Sequence, residues 1–494
     1  MRGVRLLKTN LFTFKREIPL EGLPLTFQHT VILARKLLVR YIWIDSLCII
    51  QDSLDDWQRE SSKMTEVYSN SWLNIAASDS SSGDGGLFRQ RSPLTINPCR
   101  ITAKWNEGHP HVFNISRKHN HLADIIRSSL NTRAWVLQER LLAKRTVHFC
   151  RRQIYWECGC SLVPEAEPGI IRSPSDIKRW IAGADDTSVE PDTLAVKSLK
   201  IWSRILIDYS RTKLSVESDK LVAISGLARR ISGLSNGTLG NYIAGLWEAK
   251  LVSQLCWITG DHSHRPCQYR APSWSWASVE GYYSQGLPVI PQDHYNHDWK
   301  LMAEVQSSRV DYAYDRYGSV TGGSLIMKCS LFGMAVATIT VGEYFADPDP
   351  AYDGPSQRCV RIGTEHPSKT NYIDKLITWL DDLTEENLID LDLVPLYGLP
   401  LQASTWGPRE TNIAINYGDI MDCLVLRPTA TRGQYQRVGL LRWQVSRRAG
   451  PLEHGVEEAS AAKACIDRAC ATSSLNTSMY LDLREGDSYH IEII

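Results

Sequence analysis

Between residues 20 and 160 the apolar positions follow two rhythms, one helical and one extended. After Leu23-Pro24-Leu25-Thr26, Val31, Leu33, Ala34, Leu37 and Leu38 recur at near-helical spacing. Tyr41-Ile42-Trp43-Ile44 is then apolar throughout, the pattern of a strand buried on both faces, and Asp45-Ser46 breaks it. In an open α/β sheet the carboxyl edge of such a strand is where ligands bind. Asp55 or Asp56 starts a helix running to about Tyr68, with Trp57, Met64, Val67 and Tyr68 on its apolar stripe and Glu60 among them. Ser71 to Ala77 reads as a strand, and Ser78 to Gly86 as a polar surface loop. After a short strand over Val112 to Ile115, the spacing predicts a strong helix over Arg133 to Lys144. Trp135, Gln138, Glu139 and Leu142 share its inner face. Two polar side chains on an apolar stripe need partners, because burying them unpaired is costly. Thr146 to Cys150 and Gln153 to Cys158 follow as a hairpin around Arg151-Arg152.

Helix followed by buried strand is half of a βαβ unit, so another strand is expected upstream. Residues 1–17 offer only Leu11-Phe12-Thr13-Phe14, a poor central strand. Pro164 to Pro174 reads as a connector, and helical periodicity follows over Leu194 to Tyr209, Asp219 to Arg230 and Tyr242 to Ile258. From about residue 300 the pattern turns to strands at Leu325 to Ile339, Ile420 to Leu426, Arg437 to Val445 and Tyr489 to Ile494, with one helix near Tyr372 to Leu383. The expected architecture is an α/β domain over 1–160, a helical region over 161–300 and a β-rich domain over 301–494.

At 494 residues the chain exceeds one core, in keeping with that division. Lys plus Arg and Asp plus Glu both number 55, so nothing points to a nucleic-acid partner. No uncharged apolar run is long enough for a membrane span, and no apolar segment follows the basic N-terminus as in a signal peptide. The twelve scattered Cys read as reduced thiols of a cytosolic or nuclear chain, and we place it in the cytoplasm.

Three stretches together resemble one family. Tyr41-Ile-Trp-Ile-Asp-Ser-Leu-Cys-Ile-Ile-Gln-Asp52, with Asp56-Trp57, Glu60, Met64 and Tyr68 behind it, is similar to the first hallmark of the fungal heterokaryon-incompatibility (HET) domain. Arg133-Ala-Trp-Val-Leu-Gln-Glu-Arg-Leu-Leu142, then Phe149 and Trp156-Glu157-Cys158, resembles the second. Tyr209 to Leu214, Asp219 to Leu221, Ile224 to Gly226 and Ala271-Pro-Ser-Trp-Ser-Trp-Ala277 resemble the region that usually follows. The family's opening strand, of the type Tyr-x-x-Leu-Ser-Tyr-x-Trp-Gly, is not found here. A truncated gene model or a lost strand accounts for that.

The resemblance implies a role in non-self recognition and cell death after fusion of unlike fungal cells, with a protein partner or self-association. It also implies a flavodoxin-like α/β fold, since the HET domain is distantly similar to the Toll/interleukin-1 receptor (TIR) domain. Some TIR domains hydrolyse NAD with a helix glutamate four residues after a Trp, and Trp135 and Glu139 stand at that spacing. NAD is thus a candidate substrate and Glu139 the candidate catalytic residue, with Asp45, Trp135 and Gln138 as candidate ligand-binding residues. Cleavage of an N-glycosidic bond passes through an oxocarbenium-like state that a carboxylate stabilises. The alternative for Glu139 is a structural ion pair with Arg133 or Arg140, and for Asp45 a local cap. A third reading is a degenerate, non-catalytic scaffold. Glu60 is expected to pair with Arg40 or Arg133, and Cys48 to be a buried, inert thiol. The two His-x-His pairs at 109–111 and 119–121 are expected to be solvated, and the two Trp of Pro272 to Ala277 to pack as a structural pair.

Overall fold

The computed structural model describes residues 4–91, 99–103, 109, 111–115, 121–166, 173–183, 189–260, 263–285, 298–329, 332–334, 340–343, 358–361, 373–381, 396–405, 417–447, 480–484 and 488–494. The chain divides into two compact units, Met1–Asn236 and Gly237–Ile494. Helices of the middle region up to Leu234 thus share the interior of the first unit.

The first unit is mixed α/β. Helices α1 (Leu11–Arg16) and α2 (Leu25–Lys36), the single turn α3 (Asp45–Cys48) and α4 (Leu54–Asn70) lead to strand β1 (Asn74–Ala76). β2 (Cys99–Ala103) and β3 (His111–Ile115) make a separate antiparallel pair. Then come α5 (His121–Ile126), α6 (Ala134–Leu142), β4 (Arg145–Phe149), β5 (Ile154–Cys158) and β6 (Leu162–Pro164), followed by α7 (Asp176–Ile181), α8 (Pro191–Ser210) and α9 (Val222–Leu234). The sheet runs β1-β4-β5-β6, with β1 parallel to β4 and the other pairings antiparallel.

Strand alternation decides what enters this interior. Thr146 and His148 of β4 and Tyr155 and Glu157 of β5 all turn inward, and the register sets Thr146 opposite Glu157 and His148 opposite Tyr155. An interior with this much polarity is stable only if its groups bond one another. Helices α4, α6 and α9 close over the sheet by meeting at Gly226. A Cβ there would lie 2.6 Å from Thr65 Oγ1 and 2.8 Å from Gln138 Oε1, so a larger residue would push these side chains aside.

The expected central strand over Tyr41–Ile44 is not formed. Its residues lie outside any strand, and Tyr41 is 80% exposed. A strand buried on both faces needs neighbours for its N–H and C=O groups, and among the described residues none pairs with it. Instead Trp43 packs edge-on against Tyr68, with ring centroids 5.7 Å apart. Nearby, Leu6 binds by its backbone to Ser46 O (2.8 Å) and Gln51 N (2.9 Å). Leu11–Phe14, the poor strand candidate, is part of helix α1.

The second unit opens with the hairpin β7 (Tyr242–Ile243) and β8 (Leu246–Trp247), the turn α10 (Leu251–Gln254) and β9 (Trp257–Thr259), which pairs with β10 (Tyr283–Gln285). The helix expected over Tyr242–Ile258 is broken because Ala244, Gly245 and Lys250 have φ of 43°, 99° and 53°. The main sheet places Asp298–Leu301, Leu396–Thr405, Tyr417–Pro428, Gln434–Arg447, Ile373–Leu380, Arg358–Arg361 and Thr340–Glu343 side by side, each antiparallel to the next. Ile373–Leu380 corrects the helix expected over Tyr372–Leu383. Its Ile373, Leu376, Ile377 and Leu380 have helical spacing, but eight residues pair with Gln434–Arg447 and the sheet prevails over the local pattern.

Trp274 and Trp276 are both buried in this unit, in a turn and not a strand. Trp257 Nε1 donates to Trp274 O (2.9 Å) and Trp276 Nε1 to Gly245 O (2.9 Å). Beside them Arg437, fully buried, donates to Leu255 O and Trp257 O (2.6 Å each) and to Asp381 Oδ2 (3.1 Å). Its guanidinium lies 3.3 Å from the Trp257 ring centroid. Arg437→Met removes a buried donor from the two carbonyls and from Asp381, which keeps Arg265, and is expected to cost roughly 3–5 kcal/mol. Urea unfolding of the full chain checks this, and a loss below about 1 kcal/mol would contradict the assignment.

Candidate functional site

Helix α6 organises the first unit because its two sides serve different ends. Ala134, Leu137, Leu141 and Leu142 are buried, and the chain just before the helix is pinned by Ala134 N to Lys213 O (3.0 Å) and Lys213 N to Thr132 O (2.7 Å). At its far end the Lys178 ammonium, buried, donates to the carbonyls of Arg140 and Ala143. A cation on those last carbonyls complements the helix dipole. Burial brings Lys178 down to about 8 even so.

Arg140 points into the sheet and makes a two-point ion pair with Glu157, Nε to Oε2 at 3.0 Å and Nη2 to Oε1 at 2.8 Å. His148 Nε2 reaches the same Oε2 at 2.9 Å, and its Nδ1 lies 3.4 Å from Ser78 Oγ. Burial lowers the pKa of His148. A neutral ring protonated on Nε2, donating to Glu157 and accepting from Ser78, satisfies every contact. Burial alone would raise Glu157, but Arg140 and His148 hold it well below the usual carboxylate range. Ser78, His148 and Glu157 are linked in the hydrogen-bonded order Ser–His–carboxylate of a hydrolase triad. Ser78, His148 and Glu157 are however all 0% exposed, so the group is a core network and not a reaction site.

On the other side of α6, Glu139 interacts with Tyr68 of α4 and feels the charges of Asp45, at the start of α3, and of Arg133. The Tyr68 hydroxyl donates to the Glu139 carboxylate. Burial first, and the Asp45 charge second, push Glu139 from 4.5 up to about 7, against the pull of Arg133 and the Tyr68 bond. Asp45 Oδ1 also accepts the N–H of Ser46 (2.7 Å), a local bond within its own turn.

The structure therefore brings Asp45 and Glu139 together and adds Tyr68 and Arg133. Gln138 is directed elsewhere: it is buried and its Oε1 accepts from Gly226 N at 3.2 Å, which makes it a helix-packing residue. Trp135 packs edge-on against Trp57, 6.3 Å between centroids, and donates to Asp219. Glu60 pairs with Arg59 and Lys63 (3.2 Å each), not with Arg40 or Arg133. Cys48 is exposed where a buried thiol was expected, since the strand that would have enclosed it is absent. His121 is buried against Tyr155, while His119 lies outside the described residues. Tyr68 was legible only as an apolar stripe position, and its hydroxyl gave no sequence signal.

Among the described residues no cluster of His, Cys, Asp and Glu is placed to hold a metal ion, and no helix is long and apolar enough to cross a membrane. Fold and site together define a mixed α/β domain that keeps one helix carboxyl desolvated beside a second acid. Residues 7–139 match the family model described as heterokaryon incompatibility protein (HET), so the chain carries a HET domain. At the level of that family, its role is related to heterokaryon incompatibility. No curated protein and no solved structure matches the chain.

Because Glu139 stays protonated in the folded state up to about pH 7, its contribution to stability is complete below 4.5 and is lost as pH rises through 7. Glu139→Gln keeps an acceptor for Tyr68 and removes this loss. The variant is expected to match wild type near pH 5 and to exceed it by roughly 1–3 kcal/mol at pH 8. Chemical denaturation at both pH values measures the difference, and a constant offset would refute it. Glu157→Gln leaves Arg140 buried without its counter-charge and is expected to cost about 3–5 kcal/mol at neutral pH by the same assay.

Proposed function

We propose that this protein acts in heterokaryon incompatibility as a cytoplasmic component of non-self recognition and programmed cell death. Its HET domain engages a protein partner or a second copy of itself. The match over residues 7–139 is the observation that carries this reading. It is supported by large apolar side chains left uncovered in the same domain, among them Phe12, Leu38, Tyr41 and Leu54. Uncovered apolar surface of this kind favours association with another protein.

A second reading makes the domain a TIR-like NAD hydrolase, and the Glu139 environment favours it. A carboxyl at about 7 is part acid and part base at neutral pH, and Asp45 beside it concentrates negative charge. As the nicotinamide–ribose bond breaks, positive charge grows on the ribose, and two carboxyls facing it stabilise that charge. Arg133 and Tyr68 are the polar groups available to position the dinucleotide.

Expression of the full chain in a filamentous fungus is expected to restrict growth, and normal growth with stable protein would leave the scaffold reading in its place. Purified protein is expected to release nicotinamide from NAD, with Glu139→Gln lowering kcat by at least about a hundredfold. Equal release by variant and wild type would remove Glu139 from the chemistry. Restricted growth without nicotinamide release would assign the function to association alone.

A further inference from the structure

The turn from β5 to β6 reads Cys158-Gly159-Cys160-Ser161 and closes on itself through Cys158 N to Ser161 O at 2.9 Å. It gathers donors on one sulfur. Cys158 Sγ lies 3.2 Å from Ser161 Oγ, and the nearby N–H groups of Cys160 and Ser161 and the Trp156 side chain also favour its anion. Donors close to a sulfur favour its anion, since a thiol is a weak acceptor and a thiolate a strong one. The Lys178 ammonium adds a favourable charge. Although burial pushes the Cys158 thiol up, these donors bring it below its ordinary value.

Two other thiols of the first unit differ from it. Cys48 is exposed, but partial burial and the carboxylates of Asp45 and Glu60 push it up. Cys150 is buried and pushed up to about 12. Cys158 is partly exposed and Cys160 exposed, so both can be reached from solvent. Position 159 holds the turn in place: a Cβ there would lie 2.4 Å from the Cβ of Ala182, so glycine is required.

We propose that Cys158 is a peroxide-reactive thiolate and Cys160 its resolving thiol, which makes this turn a redox-modification site. The Cys158 sulfur attacks one oxygen of hydrogen peroxide. The O–O bond breaks, the sulfur becomes a sulfenic acid, and the departing hydroxide leaves as water with one proton. The Cys160 sulfur then attacks the sulfenic sulfur, the S–O bond breaks, a disulfide forms, and the hydroxyl leaves as a second water with the Cys160 proton. Two thiols are oxidised and one peroxide is reduced to two waters.

The test uses the reduced full chain. Limiting iodoacetamide at pH 7, read by peptide mass spectrometry, is expected to alkylate Cys158 at least about fivefold faster than the exposed thiols Cys48 and Cys267. Ser161→Ala is expected to slow Cys158 several-fold and leave Cys267 unchanged. Hydrogen peroxide is expected to remove two hydrogens from the peptide holding Cys158 and Cys160. In Cys160→Ser it is expected to leave a sulfenic acid at Cys158 that dimedone traps. Labelling of Cys158 no faster than Cys267 would overturn the proposal. A dimedone adduct at Cys158 in wild type, with no disulfide, would overturn the role of Cys160.

Discussion

The two-point bond between Arg140 and Glu157 is the constraint from which the first unit is built. A guanidinium and a carboxylate, both buried, are stable there only as partners, and each is fixed by its own element. Arg140 is part of helix α6 and Glu157 of strand β5, so their pairing fixes how the helix lies on the sheet. His148 and Ser78 extend the bond across β4 to the loop after β1, and Lys178 ties α7 to the end of α6. With one side held in this way, the neighbouring residue Glu139 faces out of the core toward Asp45 and Tyr68.

That arrangement explains how two glutamates of one unit come to have opposite electrostatics. Glu157 lies deeper than Glu139, yet it is held ionised because Arg140 is dedicated to it. Glu139 is raised first by burial and then by the like charge of Asp45, and Arg133 only partly offsets them. Glu139 is therefore raised because it is desolvated beside Asp45 without a cation dedicated to it. A carboxyl in this state is unfavourable for folding at neutral pH, and such groups are retained at functional sites more often than elsewhere.

Much of the first unit was legible in the sequence. Helices α4 and α6 and the β4–β5 hairpin follow from apolar periodicity, and Glu139 stood out as an acid on an apolar stripe. Tyr41–Ile44 was misleading because its composition suits a central strand while pairing depends on a neighbour that composition does not reveal. Ile373–Leu380 was misleading in the opposite sense, since helical spacing was overridden by cross-strand pairing. The Arg140–Glu157–His148 network had a faint signal: His148 and Glu157 occupy inward positions of alternating strands. Their mutual bonding needed the register, which places residues 146 and 157 opposite each other. Gln138 was read as a site residue because Gly226, its partner 88 positions away, cannot be inferred from spacing.

The central claim is that packing of α6 keeps the Glu139 carboxyl protonated to near neutrality. Difference infrared spectroscopy of wild type against Glu139→Gln, followed across a pH titration, reads that proton directly. The account predicts that the protonated carboxyl band of Glu139 persists and is half lost at about pH 7. Its disappearance in the ordinary carboxylate range, around 4.5, would contradict it.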